Sequence, residues 1–151
     1  MWYHIRYHMA PSIVLDTNVL IAGLRSPNGA SFQLLQRVGT AAFEYNLSVP
    51  LVLEYESVAK RFARELGLTF GDIDDLIDYL CREGRQREIF YLWRPFLPDP
   101  QDDMVLELAV EASAEFIVTH NLKDFRGVEQ FGIQAITPSA FLREHILQVI
   151  P

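Results

Sequence analysis

Ile13, Val14 and Leu15 form a contiguous apolar run that stops on Asp16, Thr17 and Asn18. Such a run predicts a short buried strand over 12–16. Val19, Leu20 and Ile21 open a helical pattern, which Pro27, Asn28 and Gly29 break. A second helix is expected over 30–37 and a second strand over 43–49. Leu51, Tyr55, Val58, Phe62 and Leu66 recur at three- and four-residue steps, which predicts a helix over 51–66 closed by Gly67. Ile73, Leu76, Ile77 and Leu80 repeat that pattern over 69–85. A strand is expected over 90–93, then a stiff loop through Pro95, Pro98 and Pro100. Val105, Leu108, Ala109 and Ala112 predict a helix over 102–112. Strands follow over 116–119 and 134–136, and a closing helix over 138–147.

Strands and helices alternate, so the expected fold is α/β, with a mostly parallel sheet covered by helices on both faces. A single domain is expected over 12–151. Residues 1–11 are expected to be an N-terminal extension, with Met9 as an alternative start. In such folds ligands gather beyond the carboxyl ends of the strands. Polar residues sit at those ends. Asp16 ends the first strand, and Glu54 lies near the start of the helix after the second. Asp99, Asp102 and Asp103 open another helix. Asn121 and Asp124 follow the strand over 116–119.

Helix geometry separates neighbouring acids. At a helical step per residue, Glu54 lies about 60° from the stripe through Tyr55, Val58 and Phe62, and Glu56 about 140°. Glu54 is therefore expected to edge into a cleft and Glu56 to face water. By the same reckoning Asp102 lies about 70° from the Val105–Ala109–Ala112 stripe and Asp103 about 170°. Asp102 is the inward candidate, and Asp103 is expected to be solvated or to cap the helix. Asp16 and Asp99 also suit helix caps.

Composition narrows the functional classes. Half of the 151 residues are hydrophobic and 12% are aromatic, which excludes a disordered chain. Thirteen lysines and arginines stand against 20 aspartates and glutamates, for a net charge of −7. That balance argues against gripping nucleic acid by bulk charge. No apolar run approaches the roughly 20 residues that span a bilayer, so no membrane partner is expected. The single cysteine, Cys81, excludes an internal disulfide, and a cytoplasmic location is expected.

Carboxylates gathered beyond a sheet repel and raise one another's pKa. A divalent cation removes the conflict, and oxygen-only ligands suit Mg²⁺ or Mn²⁺. No Cys/His spacing suggests zinc. An acidic metal site of this kind points to phosphoryl or phosphodiester chemistry.

Five segments taken together resemble the PIN domain, and in particular the VapC-type toxin ribonucleases of toxin–antitoxin pairs. They are Ile13-Val14-Leu15-Asp16-Thr17-Asn18-Val19-Leu20-Ile21, Pro50-Leu51-Val52-Leu53-Glu54-Tyr55-Glu56, Asp99-Pro100-Gln101-Asp102-Asp103, Phe116-Ile117-Val118-Thr119-His120-Asn121-Leu122-Lys123-Asp124-Phe125, and Ile136-Thr137-Pro138-Ser139-Ala140-Phe141-Leu142. The resemblance implies a PIN-like three-layer α/β/α sandwich with four to five strands. It implies a metal-dependent endoribonuclease using one or two Mg²⁺ or Mn²⁺ ions. Asp16, Glu54 and Asp102 would be the core catalytic and metal-ligating residues. Asn121 stands where many relatives carry an acid, and Asp124 is the carboxylate expected to take over there. Thr17, Asn18, Thr119 and Asn121 would be supporting polar groups. The implied partners are an RNA substrate, a cognate antitoxin protein and a second copy of the chain, with apolar residues of the helix over 69–85 contributing to a homodimer.

For RNA contact, Arg25 is the first candidate, with Lys60 and Arg64 four apart on one helix face. His120 is expected to be a solvent-facing turn residue. Two other readings stay open. One is a catalytically silent PIN fold that binds RNA or protein. The other is a haloacid-dehalogenase-like phosphatase, which needs an acid two residues after Asp16, where this chain has Asn18.

Overall fold

Ser12–Leu15 forms strand β1, and Ile13, Val14 and Leu15 are almost wholly buried. The computed structural model describes residues 10–90 and 95–147. β1 stops because Asp16 caps the next helix, accepting a hydrogen bond from the Thr17 amide at 2.8 Å. Helix α1 is Thr17–Arg25 and α2 is Ala30–Gln36. They pack on each other where Gly23 lacks a side chain: a Cβ there would lie 2.5 Å from Leu35 Cδ1.

Strand β2, Glu44–Leu47, runs into Ser48, whose hydroxyl caps helix α3, Val49–Arg61, with Pro50 in the first turn. The helix expected over 51–66 breaks at Phe62, and α4 is the short Ala63–Leu66. Gly67 closes it in the left-handed region, at φ 71°. Helix α5, Phe70–Glu83, begins with a Thr69/Asp72 capping box. Its Ile73, Ile77 and Leu80 are buried in the chain's own core, which leaves the exposed Phe70 as the apolar residue of this helix open to a dimer contact.

The third strand is β3, Arg85–Gln86. Its first residue, Arg85, is the expected last residue of the helix over 69–85, and a strand is expected only at 90–93. Gly84 ends α5 in an extended conformation, and β3 pairs parallel to β2. Glu44 on β2 then pairs with Arg85 and Arg87, each at 3.0 Å. Phe90 is exposed without strand structure, and residues 91–94 lie outside the described residues. So does most of the N-terminal extension, including Met9.

Helix α6, Pro100–Glu111, leads to β4, Phe116–Val118. Two 3₁₀ turns, Leu122–Phe125 and Val128–Phe131, precede β5, Gln134–Ile136. Helix α7, Pro138–Phe141, continues into a π turn over Leu142–Ile146.

The sheet order is β3-β2-β1-β4-β5, and every pairing is parallel. Right-handed crossovers place the β1–β2 and β2–β3 helices on one face and α6, which returns in the opposite direction, on the other. The result is an α/β sandwich with β1 at its centre. The strand order reverses between β1 and β4. The carboxyl ends of those two strands therefore frame the crevice expected to hold a ligand.

Candidate active site

Asp16 extends from β1 into that crevice. It is 7% exposed, and both carboxylate oxygens are held from behind. Oδ1 accepts the Thr17 amide at 2.8 Å, and Oδ2 accepts the Thr119 hydroxyl at 2.8 Å. Thr119, wholly buried after β4, is a junction. Its Oγ1 also accepts the Asn121 amide at 3.1 Å and Asn18 Nδ2 at 3.4 Å. Asn18 Oδ1 in turn accepts the His120 amide at 3.2 Å. These bonds lock the tips of β1 and β4 together.

Glu54 arrives from α3 and accepts a hydrogen bond from the Thr17 hydroxyl. The next residue, Tyr55, is fully buried beneath the site. Its hydroxyl donates to the Leu15 carbonyl and accepts from Tyr45 at 3.2 Å. Glu56 is directed elsewhere, pairing with Lys60 at 2.9 Å.

Asp16, Glu54, Asp102 and Asp124 line one cleft of about 510 Å³. Thr17, Asn18 and Asn121 share its wall, and Val58 and Phe62 supply apolar floor. Asp99 also lines it while capping α6 through the Gln101 amide at 2.9 Å. Burial pushes the Asp16 carboxyl up to about 6 against the hydrogen bonds from Thr119 and Thr17, and the charges of Glu54 and Asp124 add to the rise. Burial, followed by Asp16, Asp99, Asp124 and Glu54, pushes Asp102 up to about 7. Five carboxylates thus face one cation among the described lining residues, Arg25, which is already paired with Glu65 at 2.9 Å.

Asp103 departs from expectation. It is 1% exposed, and its carboxylate accepts the Leu97 amide at 2.8 Å and the Phe96 amide at 3.2 Å. Rotation away from the apolar stripe does not lead to water here, because the loop at 95–99 folds over that side of α6. Asp103 thus anchors the loop that leads into α6 and Asp102. Lys60 also departs from its expected place. It bridges Glu56 and Asp74, at 2.9 and 2.8 Å, on the α3–α5 side. Arg64 is exposed on α4, and the break at Phe62 separates it from the Lys60 face. Arg25 does line the cleft, its guanidinium over the Phe62 ring. His120 is exposed and lines the cleft as well.

Among the described residues, no three Asp, Glu, His or Cys side chains close around a point as a ready-made metal cage. The donors are nevertheless all hard oxygens, and the cleft is short of positive charge. That chemistry fits a hydrated ion such as Mg²⁺, which keeps several waters and takes one or two carboxylates directly. Among the described residues no helix is long and apolar enough to cross a membrane.

The family profile of the PIN domain matches residues 12–123. Among solved structures, the chain is similar to one from VapBC2 of Rickettsia felis bound to a DNA fragment from their promoter. The TM-score is 0.56 at 10% identity, over 83% of this chain and 98% of that one. No curated protein matches.

Proposed function

The chain belongs to the PIN domain family, and from that premise we propose that it is a Mg²⁺- or Mn²⁺-dependent endoribonuclease serving as the toxin of a toxin–antitoxin pair. The observation that carries the reading is the meeting of Asp16, Glu54, Asp102 and Asp124 in one cleft at the switch point of a parallel sheet.

In this reading Asp16 and Asp102 are the main metal ligands, with Glu54 and Asp124 completing the acidic set. A bound ion supplies Lewis-acid charge neutralisation and an acidified water at the phosphodiester. The chain's part is preorganisation. Thr17 and Thr119 fix the Asp16 carboxylate, so its orientation does not have to be found anew for each substrate. Thr17 also holds Glu54. Asp124 contributes the charge that Asn121 does not. Arg25 at the cleft wall is placed to contact RNA phosphate on leaving Glu65.

The partner in this reading is an antitoxin protein, as the VapBC2 complex suggests, and the chain forms a homodimer. The exposed Val49, Leu53 and Phe70 offer apolar surface for such contacts. Asn121 favours a second reading, a catalytically silent binding module. An acid two residues after Asp16 is absent, and Asn18 is engaged in hydrogen bonds to the β4 tip, so a dehalogenase-like phosphatase has no support.

The test is cleavage of single-stranded RNA by the purified chain with Mn²⁺, alongside Asp16→Asn and Asp102→Asn. Loss of cleavage in both folded variants supports the reading. Equal cleavage by both sinks it. Calorimetric titration with Mn²⁺ separates the silent module, which gives no saturable site.

A further inference from the structure

A second groove, of about 380 Å³, lies beside the acidic cleft, and His120 and Ala22 line both. Its character differs sharply. Ser26, Ser31, Thr137, Pro138 and Ser139 line it, and no charged side chain does among the described residues. The absence of cations makes it a poor phosphate site. Hydroxyls set among small apolar surfaces suit a neutral, flat group with hydrogen-bonding edges.

His120 stands on the ridge between the two. Its backbone amide is held by Asn18 Oδ1 at 3.2 Å. Its ring Nε2 is 3.0 Å from the hydroxyl of Ser31, itself 5% exposed on α2. An exposed histidine is thus held at its backbone amide and at one ring nitrogen by groups from two other elements. A ring held in this way loses little freedom when another ring packs on it.

We propose that His120 is a specificity residue that packs against the base of the nucleotide next to the reacting phosphodiester, and that the serine-lined groove receives this base. The proposal rests on the ribonuclease reading and adds to it a base-contacting position. Ser31 is a positioning residue that acts through the His120 ring.

The test uses a fluorescein-labelled single-stranded RNA octamer and a series with one abasic position moved along it. Binding to the full chain is read by anisotropy in Ca²⁺, and cleavage of the same series is mapped in Mn²⁺. In the native chain, one abasic position weakens binding about 5- to 10-fold, the low end for stacking of one base on a side chain. His120→Ala shows the same loss on the intact octamer and no further loss on that abasic one. His120→Phe restores stacking and the positional effect. Ser31→Ala weakens binding less than His120→Ala, at the same position. Should His120→Ala fail to fold, the Phe and Ser31 variants carry the comparison.

The proposal is overturned if no position matters to the native chain, or if the abasic and His120→Ala losses multiply. It is also overturned if His120→Ala leaves RNA binding intact but abolishes capture of a co-expressed protein, which would make the groove a peptide site. A native chain that shows the positional effect yet cleaves nothing retains the base site and loses the nuclease reading. Unchanged binding and cleavage in His120→Ala does the reverse.

Discussion

Asp16→Asn should stabilise the metal-free domain at pH 8 and destabilise it at pH 4. In the fold the Asp16 carboxyl holds its proton up to about pH 6, against an ordinary value of 3.8. Two pH units of difference amount to about 3 kcal/mol. Below pH 4 the group is protonated in both folded and unfolded chains, and no penalty exists. Between pH 4 and 6 the unfolded chain ionises first, so stability falls as pH rises. Above pH 6 the full penalty remains. Asparagine is neutral throughout and escapes it. The substitution has a cost of its own. Its amide oxygen still accepts the Thr17 amide, but its NH₂ faces the Thr119 hydroxyl, whose proton loses its acceptor. That costs about 1 kcal/mol. The net gain at pH 8 is therefore about 2 kcal/mol, or roughly 4–8 °C in melting temperature for a chain of this size. Urea unfolding in EDTA at pH 4 and pH 8 measures it. With Mn²⁺ added the order should reverse at pH 8, because a ligand that binds only the folded native chain stabilises it by mass action. A variant equally destabilised at both pH values in EDTA would refute the argument that Asp16 is electrostatically frustrated without a cation.

Other outcomes follow from single contacts. Asp103→Ala removes the acceptor of the Leu97 and Phe96 amides and should cost about 2–3 kcal/mol of stability by urea unfolding; a loss below 0.5 kcal/mol contradicts its anchoring role. Tyr55→Phe leaves the Leu15 carbonyl and Tyr45 hydroxyl without that partner and should cost about 1–2 kcal/mol, read as a shifted urea midpoint with unchanged slope. Asp102→Asn should lower Mn²⁺-dependent RNA cleavage by about 100-fold or more while the fold, checked by circular dichroism, persists. Arg25→Ala should weaken RNA binding and reduce its salt dependence by less than one phosphate contact, with kcat nearly unchanged; a steeper salt slope would count against a phosphate contact.

The resemblance written in the five motifs, and confirmed for the family, was legible because local order suffices. An apolar triplet ending in Asp16 is both a strand and a cap. The choice of Glu54 over Glu56 came from rotation about one helix, and α3 presents one buried stripe with water or other helices on the remaining sides. Asp102 was likewise placed correctly on the cleft.

Asp103 was misread because α6 is covered twice, by the sheet and by the loop at 95–99. A single-stripe argument has no information about a second cover. β3 escaped detection because two exposed residues carry no hydrophobic period, and their strand state comes from pairing with β2 and from the Glu44 ion pairs. Lys60 stands off the cleft wall, paired with Asp74 of another helix, a partner that periodicity along α3 does not register. Local patterning thus determined the elements and the order in which the acids arrive along the chain. The tertiary fold alone decided that β1 and β4, 103 residues apart at the paired Ile13 and Phe116, lie side by side. Periodicity describes a residue's angle about its own axis. It says nothing of what another segment brings to that side, and in this protein the meeting of segments makes the acidic, cation-poor cleft.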